Sequence, residues 1–375
     1  MKFREKNAAK NDKIVLAYSI EQLISNGREM KVLKISNQKF GENAILYSLT
    51  NDNGLTMNVT NLGARIVDLI VPVNGEKRNI VLGFDTAEEY LSKDMYFGAT
   101  IGRVAGRIKD GSFSIDNHKY QLPVSPENGH TLHGGPESFE AKIWKAEIEE
   151  KSNQVSVIFS YMSPDGEHGF PGELKARVIY SLTNENEWIV DYQAETDQPT
   201  LYNPTNHVYF NLTGDVTQSV GEHELFVDAD RFAVVDSDTT VTGELRSVDE
   251  TPFDFKESKS MNQVFETRSE QNNLVNGLDH PFILNRTGFD QPQAIITAPK
   301  KDLSVEMYTD RPAVVIFTAQ FGEMGPEVRG EKLVNHGGLT LETQVSPGAV
   351  EFDGFGDIIL YPETIYQSRT IYKIN

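Results

Sequence analysis

From about residue 30 onward, hydrophobic positions alternate with polar ones. Val155, Val157, Phe159 and Tyr161 are interleaved with Ser156 and Ser160, and Ala176, Val178, Tyr180 and Leu182 with Lys175, Arg177 and Ser181. Trp188, Val190, Tyr192 and Ala194, and then Leu303, Val305 and Met307, repeat the pattern. Successive side chains of a strand point to opposite faces, so a period of two predicts half-buried strands. Polar turn clusters at Asn51–Gly54, Asn74–Gly75 and Thr183–Asn186 separate them. Met30–Ile35 reads as the first strand. One short helix is predicted at Thr86–Leu91, where Thr86 and Glu89 have capping-box spacing. Many short strands joined by polar turns predict an all-β sandwich or barrel, one large domain over residues 30–375. Residues 1–29 show no strong core face and read as an N-terminal extension, either disordered or a mis-called translation start.

Composition narrows the function classes. The chain has 375 residues and no cysteine, so disulfides and thiolate sites are excluded. Its 35 basic and 55 acidic residues give a net charge of −20, which repels phosphates and argues against nucleic acid or an anionic membrane as partner. Apolar runs such as Ala313–Phe317 stop far short of the ~20 residues that span a bilayer. The run Ile14–Tyr18 is too short for a secretory segment. A cytoplasmic protein is expected.

Two segments carry unusual polar faces. In NPTNHVYFNL (Asn203–Leu212), Asn203, Thr205, His207, Tyr209 and Asn211 share one face of a strand. In LTLETQVS (Leu339–Ser346), Thr340, Glu342, Gln344 and Ser346 do the same. Such mostly neutral rows suit a polyhydroxyl ligand, although each could simply meet water. In NGHTLHGG (Asn128–Gly135), His130 and His133 have a spacing that a metal could use. The flanking glycines oppose a helix and no third ligand is near, so His133 reads better as a hydrogen-bond donor. IGRVAGRI (Ile101–Ile108) pairs Arg103 with Arg107, a surface basic pair or a ligand-facing one. Asp279 in LDHPF (Leu278–Phe282) is a turn former or a hydroxyl acceptor. No G-x-S-x-G motif occurs.

These segments resemble the aldose 1-epimerases. NLGARIVDL (Asn61–Leu69), VLGFDTAEEYL (Val81–Leu91), AGRI (Ala105–Ile108), TLHGG (Thr131–Gly135), NPTNHVYFNLTGD (Asn203–Asp215), LDHPF and LTLETQ stand in that family's order from about Met30 to the end. The resemblance implies a large twisted antiparallel β-sandwich with few short helices and a sugar site in an open cleft. By position it implies Glu342 as general base, His207 as general acid, and Arg107, His133, Tyr209 and Asp279 as sugar-binding groups. Phe317 would pack on the sugar or serve as a core aromatic. Gly106 departs from the pattern, since many members have Asn before the cleft arginine.

The residue types suit the chemistry. Mutarotation opens a pyranose by taking the C1 hydroxyl proton and giving one to the ring oxygen, then recloses on the other face. A base and an acid must sit at two separate points of one small sugar, and a carboxylate and an imidazole fit those tasks. No cofactor or metal is expected. Free galactose or glucose is the expected substrate. The alternatives are the reducing end of a disaccharide such as maltose, a non-catalytic sugar-binding protein, or a glycosidase using Asp279 and Glu342. An exposed sheet edge could support a homodimer.

Overall fold

The structure, a computed structural model, describes residues 33–375. The reading of residues 1–29 lies outside them, as does the start of the segment expected at Met30–Ile35. The first described strand is Lys34–Lys39.

The alternating segments assemble as expected. A nine-stranded sheet runs in the order Lys145–Lys151, Gln154–Ser163, Leu174–Thr183, Glu187–Thr196, Tyr366–Ile374, Ser304–Thr309, Ala294–Thr297, Glu224–Val227 and Lys259–Ser260. Neighbours are antiparallel, with Val157 opposite Tyr180 and Tyr180 opposite Val190. A five-stranded meander, Lys34–Lys39 to Glu76–Asn79, follows chain order. Its Leu49, Met57, Val59 and Leu69 share one hydrophobic cluster with Val157, Phe159 and Val178 of the larger sheet. That shared interior makes the fold a sandwich, the class the alternation and the resemblance both pointed to. Trp188 stacks on Tyr372 within it, ring centroids 4.7 Å apart.

A third sheet carries chemistry at one end. Its order is Val241–Ser247, Ala229–Val235, Asp279–Leu284, Ala313–Phe317, Glu342–Gln344. Phe232, Phe282 and Val314 anchor it in the main core.

Helices are sparse. Among the described residues they are Ala87–Ser92, Asn262–Glu266 and Glu270–Val275. In the first, Thr86 accepts the Glu89 N–H at 3.3 Å as predicted. The Glu89 carboxylate takes the Asp85 N–H instead of completing the box on Thr86. The other two are too short and polar to leave a periodic signal. Among the described residues no helix is long and apolar enough to cross a membrane.

Two substitutions test this core. Leu182→Ala, at a fully buried position of the large sheet, should lower the unfolding free energy by about 2–5 kcal/mol. Ile148→Ala, on the edge strand and 43% exposed, should stay within about 0.5 kcal/mol of the parent. Urea midpoints at unchanged slope would show the difference, and equal shifts would contradict the layer assignment.

Candidate active site

The two polar-faced segments are not continuous strands, which corrects the simple alternation picture. Asn203–Leu212 contains only the short pairs Thr205–Asn206 and Tyr209–Phe210, and Leu339–Ser346 splits into Leu339–Thr340 and Glu342–Gln344. All residues of both segments are buried. The expected polar row is therefore divided between two tasks. Asn203 clamps the Val345 backbone, donating to its carbonyl at 2.9 Å and accepting its N–H at 3.0 Å. Asn211 donates to the carbonyls of Gln218 and Gly337, both at 2.9 Å. Of Asn203–Leu212 only His207 and Tyr209 face the open cleft, and of Leu339–Ser346 only Glu342 and Gln344.

That cleft holds about 270 Å³ and gathers Arg107, His133, His207, Tyr209, Asp279, Phe317 and Glu342, all seven residues singled out in the sequence. Strand register explains why. Asp279 pairs with Phe317, and Val315 on the same strand pairs with Glu342. Tyr209 pairs with Thr340, which brings the His207 segment against the Glu342 strand. Arg107 pairs with Leu132, so His133 follows directly beside it.

His207 Nε2 lies 3.4 Å from Glu342 Oε1, and both side chains are almost wholly buried. The acid and base candidates thus touch, instead of standing at separate points of a sugar. Burial dominates their electrostatics. It pushes Glu342 up to about 8, aided by the nearby Asp279 charge and opposed by Thr340, whose hydroxyl donates to Oε1 at 3.1 Å. It pushes His207 down to about 4, against the upward pull of Asp94 and Asp279. His207 Nδ1 has no well-formed hydrogen bond, and its own backbone adds only a weak pull toward the imidazolium. Burial thus favours the uncharged form of both groups, a protonated Glu342 beside a neutral His207.

The remaining groups frame this pair. Arg107 Nη1 lies 3.5 Å from Asp279 Oδ2, and burial raises the Asp279 pKa against the arginine's charge. His133 Nδ1 accepts the Gly106 N–H at 3.2 Å, which leaves its proton on Nε2 as a donor. Burial and the neighbouring His207 and Arg107 hold His133 well below the ordinary histidine range. Tyr209, Phe317 and Phe321 form an aromatic wall with centroids 5.8–6.2 Å apart. Phe317 is half-buried: one side lines the cleft and the other packs on the hydrophobic cluster of Phe97 and Tyr209.

Other sequence candidates serve the frame. Arg103 is not a surface partner of Arg107. It is buried and donates to the carbonyls of Ser163, Pro164 and Pro171 and to the hydroxyls of Ser163 and Thr200. His130 bonds Asp238 at 3.0 Å, while His133 faces the cleft, so the two histidines share no ligand position.

Asp94, Tyr96 and Phe321 also line the cleft and were not anticipated. They lie in loops, where no hydrophobic period marks them. Tyr96 lies against both His133 and His207, with centroids at 4.9 and 6.0 Å.

The model of the aldose 1-epimerase family matches residues 46–373. The chain is 36% identical over 334 residues to the galactose mutarotase of Bos taurus, covering 88% of this chain and 93% of that protein. It is 33% identical over 333 residues to the aldose 1-epimerase of Escherichia coli K12, covering 88% and 94%. Its structure matches a galactose 1-epimerase from Lactobacillus acidophilus with a TM-score of 0.80, at 28% identity over 92% of this chain and 99% of the other. The chain belongs to the aldose 1-epimerase family.

Gly106 fixes the turn that delivers Arg107. Its φ is +77°, and an added Cβ would stand 2.6 Å from Pro347 Cγ. Gly75 has φ +85° but open space around it. Gly106→Ala should therefore lower Tm clearly more than Gly75→Ala, which carries only the left-handed backbone cost of about 1–2 kcal/mol. Equal losses by differential scanning fluorimetry would show that Pro347 does not constrain this turn.

Proposed function

We propose that Glu342 and His207 work as one proton-carrying unit that opens and recloses the pyranose ring of a free aldohexose such as galactose or glucose. The chain is an isomerase that interconverts aldose anomers, so the question is how this cleft does it. The 3.4 Å contact between His207 Nε2 and Glu342 Oε1 carries the reading. The hydroxyl oxygen and the ring oxygen are both bonded to C1, so the groups that serve them belong side by side. A pair spread across the sugar would reach only one of them.

The steps follow from proton bookkeeping. Glu342 takes the C1 hydroxyl proton while the electrons of that O–H bond form the carbonyl. The bond from C1 to the ring oxygen breaks, and that oxygen receives the proton of His207. The open aldehyde then faces a protonated Glu342 and a neutral His207, which is the arrangement burial favours. Rotation about C1–C2 presents the other carbonyl face, and the same transfers run in reverse. The cyclic sugar needs the charged form of the pair. Its own C1 hydroxyl donating to the carboxylate, and its ring oxygen accepting from Nε2, stabilise that form against the cost of burial.

Arg107, Asp279 and His133 are cast as groups that hold the sugar hydroxyls, with the aromatic wall against an apolar sugar face. A cytoplasmic setting goes with this reading. The edge strand Lys145–Lys151 carries Glu147, Glu149 and Glu150, a charge pattern that discourages dimerisation through that edge.

Two measurements test the reading. In Glu342→Gln, polarimetry of fresh α-galactose should show a loss of about 10²–10⁴-fold in catalysed rate, whereas Arg107→Ala should chiefly raise KM. A near-parental rate for Glu342→Gln would remove it from the base role. The pH profile of kcat/KM should be flat between about 4 and about 8. Below that window His207 takes a second proton and the pair has no base. Above it the single proton leaves and the pair has no acid, so the activity falls on both sides. A profile centred on a single step near neutrality would contradict a shared proton.

A further inference from the structure

Gln344 is fully buried, and neither its Nε2 nor its Oε1 has a hydrogen-bond partner. An amide left in that state costs about 1–3 kcal/mol, and folded proteins keep few such groups without a reason. Gln344 stands two residues after Glu342 on the same strand, so both project from one face into the cleft lining. No well-formed hydrogen bond joins the two side chains, but the amide lies near enough to the Glu342 carboxyl to act on it as a hydrogen-bond donor, pulling its pKa down against burial.

One neighbour of the amide is Gly106, which carries no side chain. A Cβ at Gly106 would stand 3.8 Å from Gln344 Oε1 and would already strike Pro347. No side chain from that position can therefore take up the amide. The amide atoms are also shielded from solvent.

The groups facing Glu342 are His207 at 3.4 Å, the Thr340 hydroxyl at 3.1 Å, and Asp279, Arg107, Tyr209 and Tyr372. Asp279 opposes ionisation, Arg107 is engaged with Asp279, and Thr340 already donates to Oε1. Tyr372 donates to the Leu341 carbonyl, which leaves the Tyr209 hydroxyl and the Gln344 amide as neutral donors without a commitment, and of the two only Gln344 shares the strand of Glu342.

We propose that Gln344 is the positioning residue for ionised Glu342, its amide N–H turning to the carboxylate when the proton leaves and holding it toward the C1 hydroxyl. The donor has little to offer the protonated acid and much to offer the anion, so it acts selectively on the charged form of the pair. The inference rests on Glu342 as the base.

The test is Gln344→Met, which keeps the volume and removes the donor. With galactose as substrate, kcat should fall by about 10–100-fold, the size typical of an outer partner of an active group. KM should stay near the parental value, and the alkaline limb of the kcat/KM profile should move to higher pH. Gln344→Glu, of the same shape, places a second carboxyl beside Glu342 and should move that limb at least as far. A rise in KM with kcat intact would overturn the proposal in favour of direct sugar contact. An unmoved limb in either folded variant would overturn it as well. Glu342→Gln measured alongside separates the two levels. A near-parental rate there ends the base assignment itself, whereas an inactive Glu342→Gln with unmoved limbs in the Gln344 variants ends only this inference.

Discussion

A carboxyl and an imidazole pressed together out of water set the terms for everything around them. Two ionised groups at this depth would lose most of their hydration, and burial favours the neutral pair instead. The charged form is then reached only when the substrate supplies hydrogen bonds in place of water. In that sense the site is built for a hemiacetal, whose two oxygens on one carbon match the one-proton pair. The same logic explains why Arg107 and Asp279 neutralise each other nearby and why His133 is held as a neutral donor.

The sandwich makes that arrangement possible by fixing backbones, not by shaping one long strand. Glu342, Phe317 and Asp279 come from three neighbouring strands of one sheet, held by register. His207 and Tyr209 arrive on a broken segment pinned by Asn203 and Asn211 through backbone bonds. The loop that carries Arg107 is anchored by the buried Arg103. Polar side chains that touch no substrate therefore do much of the positioning, and their burial is explained by that work.

Much of this was legible in the chain. Alternation at Val155–Tyr161 and Ala176–Leu182 identified the large sheet because each strand sends its apolar face into the core; the other face is exposed at Lys175 and Arg177 but covered at Ser156 and Ser181, which bond each other. The seven site residues were found through the family resemblance together with their unusual polar neighbourhoods. Periodicity misled within Asn203–Leu212, because a fully buried segment that holds only two short strand pairs still reads as polar and apolar by turns. It was silent on Asp94 and Tyr96, whose loop has no period, and on Asn262–Glu266 and Glu270–Val275, which are too short to show one. Sequence spacing also gave no measure of how near Glu342 and His207 would come, since that distance is set by pairing between residues far apart in the chain.

The protonation of His207 in the sugar-free protein is the central quantity. Nitrogen-15 NMR of the ring nitrogens, followed from acid to neutral pH, measures it directly. A neutral imidazole at pH 6.5, becoming an imidazolium only near pH 4, is the expected result. An imidazolium already formed at pH 6.5 would mean that the pair rests charged, and the account of a buried neutral unit awaiting its hemiacetal would be wrong.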